Sequence, residues 1–165
     1  MMRSALRLAF DRTGNSAAEM ALSLPLLMVL LFGSFDLGFY FHSEHVATKA
    51  VRDAARYASR LGMGNYPGCA PTAAARTAIQ RVARTGEPDG TTPRLYGWTN
   101  DTMTTVTVTC DASGTYTGIY DDFPDGVPVV TVTAAVPYSS LFGVLGLGTP
   151  TLTLNAHSQS AVFGA

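Results

Sequence analysis

Residues 20–35 run for sixteen positions without a charged side chain, Met-Ala-Leu-Ser-Leu-Pro-Leu-Leu-Met-Val-Leu-Leu-Phe-Gly-Ser-Phe, and Glu19 stands directly in front of them. This stretch constrains the chain more than any other feature. Counted from 17 to 41 it gives 25 residues, enough for a tilted helix to cross the hydrocarbon core of a bilayer. Asp36 then has to face a partner or sit near the outer interface, and Phe39, Tyr40 and Phe41 suit the aromatic belt there. A carboxylate at bilayer depth is costly, so Glu19 needs a partner or a task. Pro25 removes one backbone hydrogen bond and is expected to bend the helix near residues 22–24. Within a membrane the freed carbonyl can be satisfied by neighbouring groups or by Ser23. Pro25 therefore reads either as part of a loosely packed membrane helix or as a hinge for leaving the bilayer.

Charge sets the expected direction of crossing. Residues 1–14 hold Arg3, Arg7 and Arg12 against Asp11, whereas residues 15–165 hold eight basic and eleven acidic side chains. Positive charge before the apolar run keeps the leader in the cytoplasm and sends the rest of the chain outward. A cleavable secretory signal would have a shorter apolar core with a small-residue site behind it. After Phe35 the chain instead reads Asp-Leu-Gly-Phe-Tyr-Phe-His-Ser-Glu-His, so a single span that stays on the protein is expected. The order of basic leader, Gly14, the small or polar Asn15-Ser-Ala-Ala, Glu19 and apolar helix is what prepilin processing at Gly14–Asn15 and pilin packing through Glu19 require.

The helical pattern continues beyond the span. Val46, Ala50, Ala54, Tyr57, Ala58 and Leu61 recur at three- and four-residue steps, with Lys49, Arg52, Asp53, Arg56 and Arg60 on the opposite face. Gly62 and Gly64 end it. A helix from about residue 16 to 61 would be a rod of roughly 70 Å. A second helix is expected from residue 69, with Pro71 in its first turn and Ala75, Ala78, Ile79 and Val82 as its apolar stripe, stopped by Gly86-Glu-Pro88. The loop after it carries Trp98, which reads as a core plug or, alternatively, a surface contact.

Residues 104–110, 127–138 and 151–162 alternate or are rich in Val and Thr and predict strands, with residues 116–120 as a candidate fourth at the edge. The expected fold class is α+β: a long transmembrane and amphipathic N-terminal helix, then a small pilin-like head with one helix on a 3–4-stranded antiparallel sheet. Cys69 and Cys110 both fall in the part expected outside, where an oxidising compartment would let them pair; two separate buried thiols are the alternative. Residues 139–148 combine five large apolar side chains with glycines, and read as an interaction patch or as a turn that covers the sheet edge or dips toward the bilayer.

With Ala18-Glu19-Met20-Ala21-Leu22-Ser23-Leu24-Pro25, Phe32-Gly33, Asp36-Leu37-Gly38 and Ala54-Ala55-Arg56-Tyr57-Ala58 in view, residues 14–61 resemble the TadE-like family, the small pseudopilins or minor pilins of the tight-adherence (Tad, Flp-type) pilus. Met20 departs from the aromatic common after the glutamate, and Phe39-Tyr40 stand where relatives often carry arginine. The resemblance implies a cytoplasmic leader (1–14), a long helix (15–61, span about 17–41) and an extracytoplasmic head (62–165) at the bacterial inner membrane. It implies as partners other pilin subunits, a prepilin peptidase and the inner-membrane pilus platform. Gly14 and Asn15 would flank the processed bond, with Glu19, Pro25 and Asp36 serving assembly.

Other chemistries find little support. Asp121, Asp122 and Asp125 lack the regular spacing of a calcium loop, and His42 and His45 have no third ligand spaced near them. No nucleophile elbow, zinc-protease helix or phosphate-binding glycine loop occurs. No basic patch with interleaved aromatics suggests nucleic acid. No catalytic residue, cofactor, metal or small-molecule substrate is expected. The readings that remain are a pilus assembly protein, an uncleaved single-span scaffold or sensor with a periplasmic interaction domain, and, least supported, a tethered hydrolase.

Overall fold

The computed structural model describes residues 13–111, 116–121, 126–144 and 152–164, with side chains from residue 16 and without those of Leu141 and Val144. Residues 1–12 of the expected leader, Asp122 and Asp125 of the carboxylate cluster, and residues 145–151 lie outside the described residues. The fold is α+β. Helix α1, Thr13–Arg60, precedes α2, Ala73–Thr85, and then come strands β1, Thr104–Asp111, and β2, Val127–Pro137, the single turn α3, Leu141–Val144, and strand β3, Thr153–Ala161. The chain parts into two compact units between Phe39 and Tyr40.

In the C-terminal unit the strands form an antiparallel meander in the order β1-β2-β3. Side chains alternate across a strand, so the register stacks Thr104, Ala134 and Ala156 in one row and Val136 beside Leu154 in another. Those residues, with Val106, Val130 and Val132, are buried. Thr105, Thr107, Thr109, Thr133, Asn155, His157 and Gln159 occupy the other, exposed face. Among the described residues the sheet has three strands, and the fourth expected over 116–120 is a 3₁₀ turn at Gly118–Tyr120. Gly118 adopts φ +77°, a left-handed conformation that an extended ladder cannot hold. The Tyr120 hydroxyl donates to the Val162 carbonyl at 2.7 Å, tying this turn to the end of β3.

The core of this unit is built on small residues of α1. Ala47, Ala50, Val51, Ala54, Ala55 and Ala58 are at most 1% exposed and share one cluster with the buried sheet face, Ile79, Val82, Ala83 and Trp98. The expected stripe is therefore rotated: Ala47, Val51 and Ala55 join it, while Val46, Tyr57 and Leu61 are only half-buried. Alanines let backbones approach closely, and their burial is set by packing rather than apolar bulk. Trp98 is fully buried, as a core plug should be.

Helix α2 begins later than its composition suggests. Thr72 is the N-cap, its hydroxyl accepting the Ala75 N–H at 3.3 Å, and Pro71 is left outside the first turn. Gly86 at φ +98° closes the helix, donating its N–H to the Val82 carbonyl at 2.8 Å. Ala83 takes the inward position expected of Ala78, which is half-buried. Just before α2, Cys69 of the turn Pro67–Cys69 is joined to Cys110 of β1 in a disulfide with Cα atoms 5.8 Å apart.

Past Arg60 the end of α1 is closed by distant residues. The N–H groups of Phe163 and Gly164 donate to the Ser59 carbonyl at 2.9 and 3.1 Å, and Met63 N–H donates to the Gly164 carbonyl at 3.2 Å. The buried Tyr66 hydroxyl donates to the Ala58 carbonyl at 2.7 Å. Carbonyls that a helix C-terminus leaves without partners are thereby satisfied. A side chain on Gly164 would run into the carbonyls of Arg60 and Leu61, so only glycine fits.

Candidate functional site

The first part of α1 carries the residues that the sequence singles out. Its Leu, Met and Ala content favours helix, and two serines satisfy their hydroxyls within it: that of Ser23 donates to the Met20 carbonyl at 3.4 Å and that of Ser34 to the Leu31 carbonyl at 2.8 Å. The helix runs unbroken through Pro25. Ser23 thus reaches the carbonyl of Met20, one residue before the Ala21 carbonyl that Pro25 deprives of its donor. That differs from the expected compensation, because a serine at this position bonds three residues back.

Every residue from 16 to 32 is exposed, Leu22 at 80%. This helix is long and apolar enough to cross a membrane, and none of its apolar window is buried within the protein. Glu19 is exposed at one end, and Asp36 is half-buried at the other. The seventeen helical steps from Glu19 to Asp36 correspond to about 26 Å of helix, close to the ~30 Å hydrocarbon core. The two carboxylates therefore bracket a charge-free cylinder of roughly bilayer thickness.

Gly14 and Asn15 fall within the described helix α1, Thr13–Arg60. Glu19 comes four residues after Asn15, about one helical turn. At the other end of the apolar segment Phe39 and Phe41 are exposed, and the Tyr40 ring meets that of Tyr138 edge-on, with centroids 5.2 Å apart. Tyr40 itself is half-buried against the core, and the sequence alone gives no sign of its partner Tyr138. A contact between residues nearly a hundred positions apart leaves no local trace.

Beyond residue 40 the exposed side of α1 bears Lys49, Arg52, Arg56 and Arg60, with His42 and His45 also exposed. Asp53 departs from that row: it is half-buried and accepts from the Arg94 guanidinium at 2.8 Å. Arg84 pairs with Asp101 at 2.6 Å in the same way, fastening the loop after α2. Burial pushes the Tyr66 phenol up to about 12, and neighbouring Tyr57 acts in the same direction.

Residues 14–56 match the family model described as TadE-like protein. No curated protein and no solved structure matches the chain. The matched stretch takes in Gly14, Asn15, Glu19, Pro25 and Asp36, and it ends inside the part of α1 that packs in the core; α2, the sheet and both cysteines lie outside it. Over residues 14–56, α1 is similar to the TadE-like family.

Proposed function

We propose that this protein is a minor pilin or pseudopilin of a Tad pilus, anchored by α1 in the bacterial inner membrane. TadE-like proteins are structural pilus components rather than enzymes, and the chain is accordingly read as Tad pilus-associated. The observation that carries the reading is the exposed, charge-free and mostly apolar surface of α1 over residues 20–32, inside the matched segment. Such a surface belongs in lipid before assembly or against other pilin subunits after it.

In this reading residues 1–14 are a cytoplasmic leader, residues 15–61 the helix and residues 62–165 a periplasmic head. A prepilin peptidase cuts the Gly14–Asn15 bond. Glycine lacks the side chain that would keep a protease from the backbone, and within a helix it makes local opening cheap. Glu19 then pairs with the new Asn15 amine of a neighbouring subunit; at low dielectric such a pair sets register more than it stabilises. Pro25 supplies the bend for leaving the bilayer, and Asp36 lies at the outer interface. The partners are other pilin subunits, the peptidase and the inner-membrane pilus platform, with no cofactor, nucleic acid or small-molecule substrate involved.

N-terminal sequencing of the membrane form tests this. The mature chain should begin at Asn15, free or methylated, and Gly14→Leu should accumulate a slower-migrating precursor. Intact Met1 or Met2 in cells that make the pilus would instead identify an uncleaved single-span scaffold or sensor.

A further inference from the structure

Residues 138–152 contain no Asp, Glu, Lys, Arg or His. A connection between antiparallel strands ordinarily runs through water and carries polar or charged side chains, so fifteen uncharged residues need another surrounding. The described part of the segment shows where it is held. Tyr138 meets Tyr40 edge-on at 5.2 Å, and its N–H donates to the Leu152 carbonyl at 2.8 Å, so both ends of the β2–β3 connection lie beside residue 40 of α1. Tyr40 is also edge-on to Phe41 at 5.9 Å. The Ser140 hydroxyl accepts the Gly143 N–H at 3.0 Å at the start of α3, which carries the half-buried Phe142. Phe41 and Leu152 remain 52% and 45% exposed.

We infer that Tyr40, Phe41, Tyr138, Phe142 and Leu152 form a rim that rests in the interfacial layer of the bilayer, with lipid as its occupant. The inference depends on the reading of α1 as a membrane span. Two observations select lipid. The rim is continuous in sequence with the apolar helix, beginning at the residues where the 17–41 span ends. Its composition, aromatic rings and leucine without charge, is that of the headgroup–acyl boundary. A rim without charge reads no headgroup charge, so its seating should not depend on salt or on the fraction of anionic lipid.

With Cys69 and Cys110 joined and no other cysteine present, Leu152→Cys provides a single thiol for an environment-sensitive fluorophore. The labelled full-length chain is reconstituted in phosphatidylethanolamine and phosphatidylglycerol vesicles containing nitroxide lipids. Thr107→Cys, on the exposed sheet face, and Leu30→Cys, within α1, serve as references. Shallow nitroxides should quench position 152 about twofold or more beyond position 107, at low and high salt alike, while deep nitroxides quench position 30. Equal quenching at 152 and 107 with position 30 still quenched would overturn the rim and leave the span intact. An unquenched position 30 would remove the span and the rim together. Shielding of 152 that vanishes as lipid is raised over protein would assign the surface to a second copy and overturn the lipid assignment.

Discussion

Tyr66 shows how one buried hydroxyl couples the C-terminal unit to pH. Its O–H donates to the Ala58 carbonyl at 2.7 Å, and burial pushes its pKa from 10.0 to about 12. A group whose pKa is raised on folding contributes stability that is complete below its unfolded value and disappears as pH climbs through the folded one. The unit should therefore hold its full stability to about pH 10 and lose on the order of 2–3 kcal/mol between about pH 10 and 12. Phe at position 66 removes the titrating group, so Tyr66→Phe should be less stable near neutrality, by about 1 kcal/mol for the lost hydrogen bond. It should also show a flatter alkaline decline in chemical denaturation; parallel declines for parent and variant would show that Tyr66 is not the group responsible.

At the scale of elements, the disulfide links a short turn to a strand otherwise held on one side by β2 and on the other by α2. Gln80 of α2 donates to the Thr104 carbonyl at 2.7 Å at the opposite end of β1. Closing a loop of 41 residues contributes about 3–4 kcal/mol in the chain-entropy account. Reduction should lower the melting temperature by about 10 °C in a unit of this size, with no free thiol titrating in the non-reduced, denatured protein. Two titratable thiols in the non-reduced, denatured protein would refute the pairing. The elements differ in how legible they are. The uncharged run at 20–35, the Val/Thr alternation at 104–110 and the Gly86 stop announce themselves because each obeys a local rule. The inward face of α1 does not, since Ala47, Ala55 and the alanines beside them carry almost no apolar signal and are chosen by what packs on them. Residues 116–120 look extended from Tyr and Thr content, yet Gly118 turns the chain. Within the candidate site, the Tyr40–Tyr138 contact depends on tertiary structure and has no local signature.

For the whole molecule, the proposed assembly and the proposed anchoring put opposite demands on Glu19. Replacing it with alanine removes a charge that lipid disfavours, so membrane insertion should persist or improve. If the proposed Glu19–Asn15 pairing holds, crosslinks between this chain and pilin subunits in membranes should fall several-fold, because that register-setting pair is lost. Equal crosslink yields from Glu19→Ala and parent would deny Glu19 that role. The closure of α1 by Phe163 and Gly164 bears on something else, the order of events as the chain is made. The apolar helix leaves the ribosome first and can commit to the bilayer while the rest is still being synthesised. Cys69 and Cys110 can meet next. The carbonyl of Ser59, however, waits for residues 163 and 164, about a hundred positions later, and contacts of such separation are the slow ones in folding. On the proposed reading the protein is thus fastened to its membrane well before the end of α1 can close, and for that interval the alanine face of the helix lacks the β3 residues Leu154 and Ala156 that later pack with it.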